Sequence, residues 1–530
     1  MAQARTDLTA TQSLIWTSQQ LSPQSPLFNG GLAFEFSSAI DPDRFERSWQ
    51  AVVEGSDALR TVFLERDGQV EQKVLDRLEV NVPIHDFRED AQADTAARRW
   101  IDERICHKLD LSQRPHDTAL LRLPGERWIW YLNVHHLVVD AWSIGVICQH
   151  MSRWYQGLHD GTTPEPLPSF MDYRGHERQW RQSRAFQEAR AHWKQCERAP
   201  SGLVALYGRI GKRGFLDSVR ISAPFGNERS QRLREMGEHP DWRSFSPHLA
   251  RFNLLATVVL AYLHRVSGNQ VLTIGTPAAN RSTPAFRNTI GVFIETLPFT
   301  VEVEKGETFR SLHEKVSAAS MSFLRWAQPG SSTTALARTF NVVLNYINTS
   351  FGEFDGKPMQ VELLHPKQVD SGHDLRVHLH DLSDTGEIIA HLDVNTTTLE
   401  EGVRDRMGGH FLRLADAFLA EPELQISAVS LLGEDEYRAQ LSDFNSDRPG
   451  PGAPSVLSAF SARVADAPQA IAAREGDRVV TYSELDDLSD RLASELVRRG
   501  SAPGENTGIY LRRSLDFLVS VLGVLKAGGA

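Results

Sequence analysis

Cysteine is scarce in this sequence, because only Cys106, Cys148 and Cys196 occur among 530 residues. An odd number of cysteines without paired spacing argues against both a disulfide framework and a zinc site. We therefore expect reduced thiols, no bound metal and a cytoplasmic protein.

Long apolar runs and blocks of like charge are also missing. No apolar run reaches the ~18 residues that a membrane span requires, and the N-terminal residues lack the apolar segment of a signal peptide. The 57 basic and 68 acidic residues give a formal charge of −11, with neither sign gathered into one region. We expect neither nucleic acid nor a membrane as a partner.

The remaining composition is that of a globular protein, with 41% hydrophobic and 24% charged residues. A chain of this length usually forms two or three packed units. Apolar periodicity predicts two α/β halves joined by a crossover at 157–168. The predicted helices are 8–21, one from 41, 143–157, 170–198, 253–266, 308–325 and one through 403–418. The predicted strands are 32–36, 128–134, 271–275, 340–346, 376–382 and 388–394.

A histidine pair follows the predicted strand at 128–134. His135 and His136 point to opposite faces, so one of them can face a cavity, while Asp140 can hold the turn that follows. A histidine that titrates near neutral pH can accept a proton from an attacking amine or hold that amine while charge develops. The alternative is a purely structural pair, because one adjacent pair among 19 histidines is unsurprising.

Six stretches together resemble motifs of one family, the condensation domains of nonribosomal peptide synthetases, and they follow that family's order. The stretches are 9–16, 58–63, 135–143 (the HHxxxDG active-site motif), 170–173, 275–281 and 290–296. The resemblance covers residues 8–440. It implies an α/β fold in which two chloramphenicol-acetyltransferase-like lobes, 1–180 and 181–440, form a V-shaped pseudo-dimer with a tunnel between them.

A second resemblance begins after the stretch around 445–454, which is rich in proline and glycine like an interdomain linker. Residues 480–485 and 525–530 are similar to the first two motifs of an adenylation domain. We therefore expect a linker at 441–455 and a truncated adenylation domain at 456–530. Because the chain ends before the phosphate-binding loop, we expect no adenylation activity from this stretch.

The resemblance implies an acyltransferase that forms an amide bond when the amine of a carrier-bound amino acid attacks an acyl or peptidyl thioester. Both substrates would travel on the 4'-phosphopantetheine arms of carrier proteins, and no cofactor would be bound directly. The expected partners are an upstream carrier protein in trans as donor, a downstream carrier domain of the same parent chain as acceptor, and the adenylation domain in cis. An acyl-CoA donor would make this a starter-type domain.

Other functions remain open at this point. The alternatives are a catalytically silent recruitment module and an epimerization domain, although an adenylation start directly downstream disfavours the latter. Heterocyclization is disfavoured because that subtype replaces both histidines with aspartate.

The family pattern also predicts the roles of individual residues. His136 is expected to be catalytic, as a base or as a positioner of the amine. Asp140 and Arg281 match a buried pair that positions the motif loop. Asn345 matches a polar position near the tunnel, or it ties off a strand end. Ser143 either offers a hydroxyl near the oxyanion or caps the following helix. The expected supporting set is His135, Asp140, Ala141, Ser143, Arg281 and Asn345.

Three departures from the family pattern suggest an atypical member. Ala141 replaces the glycine after the motif aspartate and would carry strain of about 1 kcal/mol if that position required positive φ. Ser56 and Asp57 replace a His-Glu pair, and 326–329 replaces a His-Gln-Asp-type motif.

Overall fold

The structure, a computed structural model, describes residues 8–66, 69–198, 202–351, 353–442 and 454–530. The chain divides into two compact units, Met1–Gly433 and Glu434–Ala530. The linker predicted at 441–455 falls largely outside the described residues, so it stays a prediction.

The first half of the first unit alternates strands and helices as the periodicity predicts. Its elements are α1 (Ala10–Leu21), β1 (Asn29–Phe36), α2 (Pro42–Gly55), β2 (Thr61–Arg66), β3 (Gln69–Val74), β4 (Ile84–Asp86), α3 (Ala93–Arg104), β5 (His116–Arg122), β6 (Trp128–His135), α4 (Ala141–Asp160), α5 (Phe170–Trp180) and α6 (Arg184–Cys196).

The second half of this unit follows the same rhythm. Its elements are β7 (Ser218–Pro224), α7 (Gly226–Glu238), α8 (Pro247–Ser267), β8 (Val271–Ala278), α9 (Pro284–Arg287), β9 (Glu295–Glu302), α10 (Phe309–Trp326), β10 (Val342–Ile347), β11 (Glu353–Phe354), β12 (Lys357–Leu363), β13 (Leu375–His380), β14 (Ile389–Asn395) and α11 (Glu401–Ala420).

The first sheet has the strand order β11-β12-β1-β6-β5-β4. Its pairs are antiparallel except β4 with β5. Phe34 and Trp130 lie opposite each other and point into a core that α2 and α4 help to form. On the other face, Ala33 and Tyr131 pack with residues of α3. The sheet is therefore covered on both faces, and β6 runs through its middle.

The second sheet has the order β7-β14-β13-β10-β8-β9, with β10 parallel to both β8 and β13. Leu344, Val377 and Leu392 point into the large core around α8. The alternate positions of the same strands carry polar side chains, including Asn345, His378 and Asp393. One face of this sheet is therefore apolar and the other is polar.

Helix α8 is the one helix among the described residues that is long and apolar enough to cross a membrane by length and composition. Most of its apolar window is buried inside the protein, where it contributes residues such as Leu255 and Val259 to the core. Burial of this kind is also expected for the central helix of a packed lobe.

The first sheet also receives strands from the second half of the chain. After β10, the chain returns to pair β12 with β1, placing Val361 opposite Phe34. Alternating burial in β12 indicates a strand, but the alternation alone does not say which sheet the strand joins. Residues 353–363 therefore connect the two lobes, which the simple division at residue 180 did not anticipate.

Two helix predictions are wrong in detail. The helix predicted at 170–198 is broken at 181–183, where Ser183 caps α6 by accepting the Phe186 N–H at 3.1 Å. Helix α4 begins at Ala141 and continues past Gly157 to Gly161, whose φ of 72° ends the helix in the left-handed region.

The second unit contains five helices and strands after α12 (Glu434–Ser442) in its described part. They are α13 (Val456–Asp466), β15 (Ile471–Glu475), β16 (Arg478–Thr481), α14 (Tyr482–Arg498) and α15 (Leu515–Lys526). Strands β15 and β16 form an antiparallel hairpin. Leu485, Leu515 and Leu522 form a small core with Val480.

Candidate active site

The histidine pair lies at the end of β6, at the point where the chain leaves the first sheet. The His135 N–H donates to Pro115 O at 2.8 Å, and the His136 N–H donates to Phe28 O at 2.9 Å. The turn closes when the Val138 N–H donates to His135 O at 3.0 Å. The pair therefore stands on backbone that the sheet and the turn hold rigidly.

His135 has a structural role. Its Nδ1 accepts the Leu137 N–H at 3.1 Å, so the ring proton is on Nε2 and points to Gln19 Oε1 at 3.3 Å. Burial lowers the pKa of His135 to about 3. Both ring nitrogens are occupied within the protein, and this side chain stays neutral.

In His136 the two ring nitrogens have the opposite roles to those in His135. Its Nδ1 lies 3.2 Å from the Val139 carbonyl oxygen, which can only accept, so Nδ1 carries the proton and Nε2 is left with an open lone pair. Among the described residues, Nε2 has no hydrogen-bond partner. Burial lowers the pKa of His136, the Val139 carbonyl opposes that shift, and the charge of Arg376 adds to it. The imidazole is therefore neutral at neutral pH and can accept a proton at Nε2.

Gly30 keeps space beside that nitrogen. A Cβ on Gly30 would lie 3.5 Å from His136 Nε2 and 3.0 Å from the Val134 carbonyl oxygen. A Cβ at this position in β1 would therefore press on the Val134 carbonyl and come into van der Waals contact with the His136 ring.

Asp140 and Arg281 form the predicted buried pair. Arg281 Nη2 lies 2.7 Å from Asp140 Oδ1, and both side chains are almost fully buried. Asp140 also accepts the Phe293 N–H at 3.0 Å, and Arg281 Nη1 donates to Thr289 O at 2.8 Å. The pair thus ties the histidine loop to residues of the second half of the chain.

Ser143 is fully engaged in the same network. Its hydroxyl lies 2.7 Å from Arg281 Nη2, 2.6 Å from Gly291 O and 2.9 Å from Asp140 Oδ1. It does not cap the helix as one interpretation suggested, because Asp140 is the cap and accepts the Ser143 N–H at 2.8 Å. Ser143 therefore supports the motif loop.

Ala141 is the first residue of α4 and has helical backbone geometry. It is absent from the non-glycine residues with positive φ in the described chain. The condition for strain, a positive φ, is therefore not met, and a helical position accepts alanine at least as well as glycine.

Asn345 lies away from this network, on the polar face of β10. Its Nδ2 is 3.1 Å from His378 Nδ1. The described residues show no hydrogen bond between Asn345 and either histidine of the pair. The structure thus brings together His136, Asp140, Ser143 and Arg281, and it places Asn345 in a second polar group.

Hydrogen bonds hold the protein at or next to two of the departures from the family pattern. Asp57 accepts the N–H groups of Phe170 at 3.0 Å and Met171 at 3.2 Å, so it holds the start of α5. Glu295 accepts the Ser332 N–H at 2.6 Å and also bonds the Gly330 N–H, which holds the loop that follows residues 326–329. Burial raises the pKa of Glu295 to about 7.

The sequence interpretation missed Gly30, Arg376, His378 and Asp393. A signal for three of them was present, because polar residues alternate with apolar ones along both β13 and β14. In the described part of the chain, no group of His, Cys, Asp or Glu side chains is arranged to hold a metal ion.

A neutral histidine whose Nε2 has no hydrogen-bond partner among the described residues, on a loop that the first sheet holds, is an arrangement that can serve acyl transfer. The condensation domain family matches residues 2–441, and the AMP-binding enzyme family matches residues 460–530. The chain therefore belongs to the condensation domain family of nonribosomal peptide synthetases, acyltransferases that form amide bonds, and its last part is an AMP-binding fragment.

Curated relatives are much longer than this chain. Tyrocidine synthase 3 of Brevibacillus parabrevis is 26% identical over 542 residues, covering 99% of this chain and 8% of that protein. Phosphinothricin tripeptide synthetase PhsC of Streptomyces viridochromogenes is 27% identical over 544 residues, covering 98% of this chain and 49% of that protein. The chain thus spans less than half the length of these relatives.

Solved structures confirm the predicted fold. The first condensation domain of the calcium-dependent antibiotic synthetase has a TM-score of 0.72 at 21% identity, covering 82% of this chain and all of that one. A starter condensation domain of rhizomide synthetase, solved with C8-CoA and Leu-SNAC, has a TM-score of 0.70 at 22% identity. The match covers 80% of this chain and 97% of that one. The two sheets therefore belong to two chloramphenicol-acetyltransferase-like lobes in a V.

Proposed function

We propose that this chain is a starter-type condensation domain, which joins a carrier-bound aminoacyl acceptor to an acyl donor supplied in trans. The observation that carries the proposal is the proton arrangement of His136. Its Nδ1–H is engaged by the Val139 carbonyl at 3.2 Å, and its Nε2 is open beside Gly30.

The reaction uses this nitrogen directly. The acceptor amine attacks the carbonyl carbon of the donor thioester and a C–N bond forms. As positive charge develops on the amine, its proton passes to His136 Nε2 and then to the sulfur as the C–S bond breaks, leaving an amide and a free thiol. A positioned group of this kind typically contributes about 10²- to 10⁴-fold in rate.

An apolar cavity supports an acyl donor. It has a volume of about 650 Å³ and is lined by Phe252, Phe323, Leu324 and Tyr346, with Arg281 on its wall. Arg281 also bonds Asp140, so the cavity wall and the network that supports the His136 loop share this residue. Its size falls within the range of small-molecule sites, and its lining suits a hydrocarbon chain. The structurally similar starter condensation domain of rhizomide synthetase was solved with C8-CoA, which supports the same donor class.

The partners follow from the reaction. The acceptor arrives on the phosphopantetheine arm of a carrier domain of the same parent chain, loaded by the adenylation domain that begins downstream. The donor arrives as an acyl-CoA or on the arm of a carrier protein in trans. The chain itself needs no bound cofactor for this chemistry.

The test combines the purified chain with Leu-SNAC as acceptor and with acyl-CoA donors from acetyl to octanoyl, and measures products by mass spectrometry. We expect the N-acyl-leucyl thioester, formed most efficiently with the longer donors. His136→Ala should lower the rate at least 100-fold. His239→Ala, in an exposed turn of the second half, is the matched control and should leave the rate unchanged.

Each alternative has its own outcome. No product with any donor, including donors on carrier proteins, would support a silent recruitment module. Inversion of the leucyl α-carbon without acylation would support epimerization. Full activity of His136→Ala would refute the role of this residue.

A further inference from the structure

A chain of four polar side chains crosses the second sheet on its polar face. Asn345 Nδ2 lies 3.1 Å from His378 Nδ1, and His378 Nε2 lies 3.3 Å from Asp393 Oδ2. Arg220 closes the series with two bonds to the Asp393 carboxylate, at 2.7 and 2.8 Å. The four residues lie on β10, β13, β14 and β7, which are consecutive strands of the sheet. We refer to them as the Asn345–Arg220 chain.

The hydrogen-bond roles in the Asn345–Arg220 chain can be assigned from its ends. The Asp393 carboxylate only accepts, so His378 carries its proton on Nε2 and its Nδ1 is an acceptor. Asn345 must therefore turn its Nδ2 towards His378. Its Oδ1 then points away and has no hydrogen-bond partner among the residues that the structure describes.

His378 is neutral in this arrangement. Burial lowers its pKa, and the nearby charge of Asp393 only partly opposes the shift. Arg220 and Arg376 lower the pKa further. The other titratable groups around it are His365, which also faces Asp393, His380 on the same face of β13, and His391, its direct partner on β14.

The Asn345–Arg220 chain is linked at its Arg220 end to β1, the strand that carries Gly30. Arg220 Nη1 donates to Leu363 O at 2.5 Å, and the next residue, Leu364, donates its N–H to Gly31 O at 3.0 Å. Gly31 follows Gly30, which borders His136 Nε2. Arg376 precedes His378 by two residues on the same face, and its charge reaches His136. The polar face of the second sheet is therefore coupled to His136 through the link to β1 and through the charge of Arg376.

We propose that His378, Asp393 and Arg220 are positioning residues that hold the Asn345 amide with Oδ1 towards the acceptor amine. This inference rests on the proposed function. Oδ1 accepts one amine N–H, which orients the nitrogen lone pair towards the thioester carbon while His136 Nε2 faces a second N–H. The group recognised is thus the free amine of the aminoacyl acceptor.

Protonation of His378 would reverse the arrangement. The imidazolium donates from Nδ1 as well, so the Asn345 amide must rotate and present Nδ2 towards the acceptor. An NH₂ group cannot accept an amine N–H, and use of the acceptor should therefore fall on acidification. Removing the titrating group at position 378 should remove this part of the pH profile.

The experiment compares three substitutions of His378 that keep different parts of its role. His378→Asn keeps an acceptor near Nδ1, His378→Gln keeps a donor near Nε2, and His378→Leu keeps neither. For His378→Leu and His378→Gln we expect kcat/KM for Leu-SNAC to fall about tenfold, as expected for one lost hydrogen bond, with KM for octanoyl-CoA unchanged. His378→Asn should retain more acceptor activity and lose the acid-side inflection.

The matched control is His391→Asn, because His391 pairs with His378 in the sheet but bonds Ser222 at 2.9 Å instead of Asn345. It should leave both KM values unchanged. Asn345→Leu should reproduce the acceptor defect, and it serves as the test if His378→Leu does not fold. An unchanged kcat/KM for Leu-SNAC in the folded variants, or an equal rise in KM for both substrates, would overturn the positioning role.

The two proposals can fail separately. If the wild-type chain forms no product, the proposed function fails. The positioning role is then tested by the Kd of Leu-SNAC, measured by calorimetry. A weaker Kd in His378→Leu than in His391→Asn supports the role, and equal values contradict it.

Discussion

At the scale of single residues, the support of the histidine loop depends on one buried charge pair. Asp140 caps α4, accepts the Phe293 N–H and pairs with Arg281 at 2.7 Å. Removing one partner of a buried pair leaves the other charge without compensation, which typically costs about 3–5 kcal/mol. The pair therefore matters for stability first and for catalysis only through the position of His136.

We predict that Asp140→Ala lowers the free energy of unfolding by about 3–5 kcal/mol in denaturant titrations followed by tryptophan fluorescence. The control is Glu188→Ala, which removes the exposed pair with Arg184 and should cost less than about 0.5 kcal/mol. A loss below about 1 kcal/mol for Asp140→Ala would contradict the assigned role.

Residue patterns in the sequence predicted the position of this loop, but they did not predict which residues of other segments lie around it. The alternation in 128–134, the histidine pair and the resemblance to the family pointed to His136, Asp140 and Arg281, and the structure places these three residues around one loop. The identity of the cap was misjudged because Asp140 and Ser143 are both good capping residues. Gly30 gave no sequence signal, and the alternation in β13 marked His378 only as a polar strand position, because the relation of both residues to the site depends on pairing between segments far apart in sequence.

At the scale of secondary structure elements, Glu295 joins β9 to the loop after α10. Its carboxylate accepts N–H groups from that loop although it is buried, and its pKa is raised to about 7. In the unfolded chain this pKa is about 4.3. Between these values the folded state binds more protons than the unfolded state, so the stability that Glu295 contributes falls as pH rises.

We predict that Glu295→Gln removes this dependence. The difference in unfolding free energy between variant and wild type should shift in favour of the variant as pH rises from about 4.5 to 7, and level off above that. Denaturant titrations at a series of pH values measure it, with Glu188→Gln as an exposed control that should show no such trend. Parallel curves for Glu295→Gln and wild type would refute the assignment.

The ends of helices α4, α5 and α6 could not be predicted from apolar periodicity alone. Both α5 and α6 satisfy helical periodicity, so the sequence predicted one helix across 170–198, whereas the cap at Ser183 starts a second one. Glycine at 157 looked like a helix end, but only Gly161 has the left-handed φ that ends α4. These choices are decided by packing and by backbone geometry that periodicity does not contain.

At the scale of the first unit, β12 is the structural link between the lobes. It leaves the second lobe after β10 and pairs along β1, which also pairs with the strand that carries the histidines. Val361 is buried in this pairing, while its neighbour Gln360 is exposed on the opposite face. Because β12 contributes to the first core and is continuous with the segment that Arg220 holds, opening one lobe should disturb the other.

We predict that Val361→Asp, which places a charge in the first core without a partner, destabilises both lobes together. Hydrogen exchange measured by mass spectrometry should accelerate in β5 and β6 of the first sheet and equally in β13 and β14 of the second. Gln360→Asp, on the exposed face of the same strand, should leave both rates near those of the wild type. Faster exchange confined to the first sheet would mean that the lobes open independently, and the site between them would then not depend on β12.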